Sequence, residues 1–393
     1  MEKPLSYLSI EPHFKTLRAT GVFPLNDNDE VSKWKKIFYS LYTHFSFYLI
    51  PIYMLQQAVN VCKVKDDANK VMDTLFLLIT NSDYVYKHAV FWRRYKEIEK
   101  LITIMKGPIF NQGGIEHEPI LSQTARHSHV FLRIFNSAAL SVCVLWVVYP
   151  IILFGQNNPV DFAIWLPFDY NENNKNFYAA VLYVYFQTSW LAINNTTMDA
   201  TISFFLAQSK TQLSILRVDL ESLVQRSKQE AKFSEEFYVN ILQKRFRDRL
   251  LHYNEIVNFT EILQGIFSGP FLYQFMVSGW IICITAYRTL KMDPMSVEFA
   301  SMILYLSCII VQLFLFCHFG HEVNWESACV IDSAYYMDWL AFPIKLRKDL
   351  IIFMERLKRP LKPMGAFIPL SNSTFVSIMR SSYSFYALLK NTN

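Results

Sequence analysis

Seven stretches of this chain are each long and apolar enough to cross a bilayer, and no other feature narrows the fold as far. A hydrocarbon core of about 30 Å takes roughly 20 apolar residues per helix, and every backbone N–H and C=O inside it must be bonded within the segment. The stretches run over 37–62, 71–92, 130–154, 177–206, 257–286, 299–319 and 365–389. The second is the weakest, because it holds Asp73, Asp83, Lys87 and His88. A chain of 393 residues that is 52% hydrophobic and 16% aromatic with only 10 Gly is also too apolar, and too poor in turn residues, for an ordinary soluble protein. The expected fold is all-α: one polytopic membrane domain over 1–393 with seven transmembrane helices.

Basic residues report orientation, since Lys and Arg are retained on the cytoplasmic side. With the N-terminus inside, the inner loops carry roughly four times as many Lys and Arg as the outer ones. This predicts a cytoplasmic N-terminal segment over 1–36 and an extracellular C-terminus. No apolar run resembling a signal peptide precedes Ile37, so the first helix is expected to direct its own insertion. Sequons at Asn194, Asn195, Asn258 and Asn372 fall in membrane helices or at inner ends and read as chance matches. The six cysteines show no metal-like pair spacing and no disulfide framework.

Two inner segments, 208–256 and 320–362, are charged yet keep helical periodicity. Leu213, Leu216, Leu220 and Leu223, then Phe237, Ile241, Phe246 and Leu250, extend the fourth and fifth helices as long amphipathic pieces. From Ile344 to Leu357 the apolar face is Leu346, Leu350, Phe353, Met354 and Leu357, and Pro360 and Pro363 follow. Such faces either pack within the chain or gather several subunits into an intracellular anchor.

Catalytic chemistry has no foothold: phosphate-cradling glycine loops, GxSxG and HExxH are absent, so an enzyme and a cofactor are not expected. His318, His321, Glu322, Glu326 and Cys329 are close in sequence, but as residues at the end of a membrane helix they suit anchoring better than metal binding. A net charge of +5 follows from the inner Lys and Arg and does not imply nucleic acid. Arg133 can snorkel from the third helix; Arg380, in the seventh, does so less easily and is expected to turn away from a cation path.

Thr374, Ser377, Ser381, Ser384 and Leu388 form one narrow stripe on the last stretch, 365–389. Small polar residues there allow close helix packing, or a wetted pore wall ending in an apolar gate at Leu388. Elsewhere the outer halves of four helices offer apolar and aromatic walls. These are Leu75, Leu78 and Ile79; Val142, Leu145, Trp146 and Tyr149; Val181, Leu182 and Tyr185; and Met302, Tyr305 and Leu306. They suit a small, mostly apolar ligand, although helix packing or lipid contact explains such residues too.

The C-terminal third, "CHFGHEVNWES" followed by "STFVSIMRSSYSFYALL", resembles the insect odorant receptors. The matching positions are Cys317, Phe319, Gly320, Glu326, Ser327, Trp339, Arg347, Lys348, Pro360, Thr374, Phe375, Ile378, Ser382, Tyr383, Ser384, Leu388 and Leu389. "LPFD" at 166–169 resembles the family's second outer loop, whereas His318 and His321 depart from its usual pattern. The resemblance implies a ligand-gated, non-selective cation channel in the plasma membrane of a sensory dendrite. It implies a volatile ligand held between the second, third, fourth and sixth helices, and a central pore lined by the last helix of each subunit. The chain lacks both the co-receptor's insertion between the fourth and fifth helices and the ending typical of gustatory receptors. It is therefore similar to an odorant-tuning subunit that partners the co-receptor Orco in a heterotetramer. A G-protein-coupled receptor is the alternative, disfavoured by the charge bias, and a secondary transporter comes third.

Overall fold

The structure, a computed structural model, describes residues 4–25, 32–112, 116–231, 235–290 and 292–391. These residues form helices α1 (Leu5–Leu8), α2 (Glu11–Ala19), α3 (Lys33–Lys63), α4 (Ala68–Arg93), α5 (Tyr95–Lys106), α6 (His117–Gly155), α7 (Asn174–Ala231), α8 (Glu235–Thr289), α9 (Val297–Tyr336), α10 (Ile344–Leu357) and α11 (Asn372–Asn391). Six of the apolar stretches lie wholly in helices, namely α3, α4, α6, α7, α8 and α9, and the seventh lies in α11 from Asn372 onward. Three of these, α6, α8 and α9, are apolar enough to cross a membrane by length and composition alone. The other four carry polar residues through their spans, and in α4 and α7 those residues pack against each other.

Helix α7 is the axis of the bundle. Its 58 residues reach roughly 87 Å at 1.5 Å per residue, far beyond any hydrocarbon core. From Asn194 to Ser209 every side chain is buried, so no single apolar face exists to be read in that part. The expected continuation of the fourth and fifth stretches as long helices is what α7 and α8 show.

Helix α9 runs on to Tyr336, well past the expected end at 319. No proline interrupts it before Pro343, and the Ser296 hydroxyl caps its start by accepting from the Phe299 N–H at 3.0 Å. The His318 to Cys329 cluster is consequently mid-helix, where His318 stacks on Phe314 and Glu326 accepts from Arg217 at 2.7 Å.

Two further departures occur at the ends. The segment 1–36 is more than a tail: Ile10, Phe14 and Leu17 are fully buried beneath α7, and the His13 Nε2 lies 2.8 Å from the Ser128 Oγ of α6. The last helix starts at Asn372 and not at Gly365. Before it, β1 (Met364–Gly365) and β2 (Ile368–Pro369) form a tight antiparallel hairpin turned at Ala366, whose φ is 53°. Gly365 lies so close to α8 that a Cβ would sit 2.9 Å from the Leu272 nitrogen, and the Gln264 carboxamide bonds both backbone groups of Met364. Ser371 then caps α11, leaving 20 residues, about 30 Å of helix.

Beyond the apolar spans, α10 buries Leu346, Leu350, Phe353 and Leu357, with Phe353 edge-on to Tyr253 at 5.4 Å. This is packing within the chain, and it leaves Ile351 and Ile352 exposed on the opposite face. Nearby, the Asp219 carboxylate gathers His117 Nε2 at 2.8 Å, Arg226 at 3.3 Å and Arg249. The His117 pKa is raised, first by this hydrogen bond. Burial alone would raise Asp219, but His117 and Arg249 outweigh it and hold the carboxyl below its ordinary range. Buried His252 is pushed down to about 3 by desolvation and the neighbouring Arg249.

Candidate functional site

A cavity of about 70 Å³ lies among α3, α4, α6, α7 and α9. Two small side chains, Ala139 on α6 and Ala192 on α7, are among its lining and leave room between larger neighbours. On α6 the wall is Phe135, Ala139, Val142, Cys143 and Trp146, a stripe at helical spacing. The opposite walls come from Leu77, Thr80 and Asn81 on α4, Thr188, Leu191 and Asn195 on α7, and Tyr305, Cys308, Ile309 and Gln312 on α9.

Aromatic rings close one end. Trp146 and Tyr305 have centroids 5.5 Å apart, and Phe76 meets Tyr305 at 5.7 Å. The Tyr305 hydroxyl is fixed by Thr80 Oγ1 at 2.6 Å. Behind this aromatic end is a second, more open cavity of about 160 Å³, lined by Leu145, Tyr149, Met302, Asp161, Arg288 and Glu298 and sharing Trp146 with the first. Trp146 thus stands between an apolar inner chamber and a charged outer one, where the Arg288 guanidinium lies over Phe76 at 4.8 Å.

The other end rests on ions. Lys87, 1% exposed, places its Nζ 2.6 Å from Asp83, 2.6 Å from Asp199 and 3.1 Å from Asn195 Oδ1. Gln312 donates to Asp199 and, at 3.1 Å, to Gln274 Oε1, and Gln274 in turn donates to Ser278 at 2.8 Å. Two of the charges that weaken α4 as a membrane helix, Asp83 and Lys87, therefore lie behind Asn195 and Gln312, which line the cavity. Groups of this kind persist in a membrane bundle only when they face its interior and pair.

Of the ligand residues expected from sequence, Val142, Trp146 and Tyr305 line the inner cavity, and Leu145, Tyr149 and Met302 line the outer one. Leu75, Leu78, Ile79 and Leu306 line neither: α4 turns Leu77, Thr80 and Asn81 inward instead. Val181 packs with Tyr53 and Phe177 in a separate cluster, while Leu182 and Tyr185 face outward. On α7 the lining begins deeper, at Thr188, because the preceding turns lean on the 160–166 loop. Sequence reasoning missed Asn195 and Gln312, whose signal was available as carboxamides inside apolar helices.

Along α11 a groove of about 640 Å³ opens against α8, walled by Thr374, Ser377 and Ser381. Ser384 is exposed further along, Arg380 is also exposed, and the Leu388 side chain lies outside the described residues. The buried hydroxyl is Ser382, off the predicted stripe, which donates to the Gly279 carbonyl of α8 at 3.1 Å. Among the described residues no cluster of His, Cys, Asp and Glu could hold a metal, and all six cysteines are free.

Residues 67–383 match the family model described as 7tm Odorant receptor. Among curated proteins, the chain is 24% identical to Odorant receptor Or1 of Anopheles gambiae over 95% of this chain and 93% of that protein. It is also 24% identical to Odorant receptor 94a of Drosophila melanogaster, covering 84% and 83%. Its fold is similar to the olfactory receptor OR5 from Machilis hrabei, with a TM-score of 0.83, 16% identity and 98% of each chain covered. The same receptor solved in complex with eugenol gives a TM-score of 0.81, also at 16% identity and 98% coverage of each chain. The match covers well over half of the chain, which belongs to the insect odorant receptor family.

Proposed function

We propose that this chain is an odorant-tuning subunit that binds a small, mostly apolar volatile in the cavity bounded by α4, α6, α7 and α9 and gates a non-selective cation channel assembled with the co-receptor Orco. The cavity carries the reading. It is walled mainly by aliphatic and aromatic groups and is about half the 150 Å³ of an apolar cavity that accepts benzene, so a compact ligand enters with modest side-chain movement. The Machilis relative forms a complex with eugenol, a small aromatic volatile, which supports the same ligand class here.

In this reading the N-terminus is cytoplasmic, the C-terminus extracellular, and the segments 208–256 and 320–362 form the inner anchor. The wall of Thr374, Ser377, Ser381 and Ser384 on α11 lines the pore, with Leu388 near the gate. Ligand favours the open state by binding it more tightly than the closed one. The test is whole-cell recording from cells expressing this chain, Orco, or both, with volatiles applied in solution. Odorant-evoked cation current that requires both chains supports the proposal; a cytoplasmic C-terminal tag in intact cells, or current independent of this chain, refutes it.

A further inference from the structure

The inner cavity is walled mainly by apolar groups, and at Asn195 and Gln312 the ion cluster fixes which atoms are presented. Amide oxygen and nitrogen are interchangeable in shape, so their assignment rests on partners. An ammonium only donates, so the Asn195 atom 3.1 Å from Lys87 Nζ is the oxygen, and its Nδ2 amino group is what remains. A carboxylate only accepts, so the Gln312 atom bonded to Asp199 is the nitrogen. That nitrogen also meets Gln274 Oε1 at 3.1 Å, and the Gln312 Oε1 is left over. Asn195 Nδ2 and Gln312 Oε1 have no hydrogen-bond partner among the described residues, although both side chains line the cavity and are 7% and 3% exposed.

We infer that the ligand of this chain is a small apolar molecule bearing one hydroxyl, an alcohol or a phenol, with its oxygen seated between Asn195 and Gln312. This rests on the cavity being the odorant site. A hydroxyl is the small neutral group that accepts from Asn195 Nδ2 and donates to Gln312 Oε1 through one atom. A ketone, aldehyde or ester oxygen accepts only and leaves the Gln312 carbonyl unpaired; a hydrocarbon leaves both unpaired, and unmade buried hydrogen bonds are what sites of this kind discriminate against. A carboxylate meets two carboxylates against one ammonium behind these amides. The remainder of the molecule fits the apolar wall of Phe135, Val142 and Trp146.

The experiment uses the full chain coexpressed with Orco and ring and chain volatiles of about four to ten carbons, each as a matched alcohol, ketone, amine and hydrocarbon at known aqueous concentration. Half-maximal concentrations should be about tenfold lower for the alcohol than for its ketone and about a hundredfold lower than for its hydrocarbon. Asn195→Ala removes the donor that alcohol and ketone share while Lys87 keeps both Asp83 and Asp199, so both should lose about tenfold in potency with the alcohol still ahead of its ketone; unchanged potency of both overturns the inference. Equal potency of alcohol and hydrocarbon or ketone in the unaltered chain overturns the inference, as does an amine outranking its alcohol or a panel in which no hydroxyl compound evokes current. Val142→Trp, which fills the cavity, separates the two levels. If it leaves responses to all volatiles intact, the cavity is not the odorant site; if it abolishes them while the unaltered chain ignores the hydroxyl, only the hydroxyl assignment fails.

Discussion

Lys87→Met tests the ion cluster most directly. The ammonium is 1% exposed and sits 2.6 Å from each of Asp83 and Asp199, which are themselves 2% and 0% exposed. Removing it leaves two carboxylates facing each other without their cation, and loss of one partner from a buried ion pair costs about 3–5 kcal/mol. At about 1.4 kcal/mol per decade, the folded-to-unfolded ratio should fall by two to three and a half orders of magnitude, a large share of a typical 5–15 kcal/mol of stability. Surface labelling should therefore drop to near background, and the solubilised protein should melt well below the unaltered chain. Adding Asp83→Asn and Asp199→Asn removes the uncompensated charge, so the triple variant should regain most of its surface expression. Full expression and an unchanged melting temperature for Lys87→Met alone would refute the reasoning, since a charge that can be deleted freely is not the partner of two buried acids.

Trp146→Ala joins the inner and outer cavities and Tyr149→Ala enlarges only the outer one, so both should reorder ligand potency without loss of surface expression; unchanged tuning in both counts against this site. For the Asp219 knot, the sign follows from the direction of each shift. His117 binds its proton more tightly when folded, so its contribution is complete below the ordinary histidine pKa and is lost as pH rises through the raised value. Asp219 contributes above the ordinary carboxylate pKa and loses its contribution only as pH falls through its depressed value. Thermal melts from about pH 5.5 to 9 should show stability falling on the alkaline side, and His117→Gln should flatten that fall. Gly320→Ala would put a Cβ 2.2 Å from Leu370 Cβ and 2.8 Å from its carbonyl oxygen. That contact should cost about 1–3 kcal/mol and lower the melting temperature.

What the sequence made legible follows from the length of its apolar runs and the spacing of its aromatics. Runs of 20 or so apolar residues identify membrane helices whatever faces them, and every expected one is present. Helix α10 is legible to the residue because one face alone is covered: Leu346, Leu350, Phe353 and Leu357 alternate with charge. The α6 wall could be read from Val142, Trp146 and Tyr149. On α4 and α7 the same reasoning selected aliphatic faces that lie away from both cavities, for a physical reason. These helices turn their polar residues inward, so Asn81, Asp83 and Lys87 mark the interior while Leu182 and Tyr185 are exposed. The early end of the hairpin before α11 was hidden because Gly365 and Ala366 are apolar residues serving as a turn.

The polar residues also join the cavity to the last helix. From the cavity wall, Gln312 bonds Gln274, Gln274 bonds Ser278, and the next residue, Gly279, accepts from Ser382 of α11. A continuous set of contacts is not yet a coupling, which requires two arrangements with different ligand affinity. It does, however, change what the neutralised triple variant means. With Lys87, Asp83 and Asp199 uncharged, packing is restored but the ions no longer orient the two amides: Asn195 is free to flip, and Gln312 is held by Gln274 alone. That variant should reach the surface and still have lost the preference for alcohols, separating the contribution of the charges to stability from their contribution to recognition. If it recovered both, the amides would owe their orientation to something other than the ions beneath them.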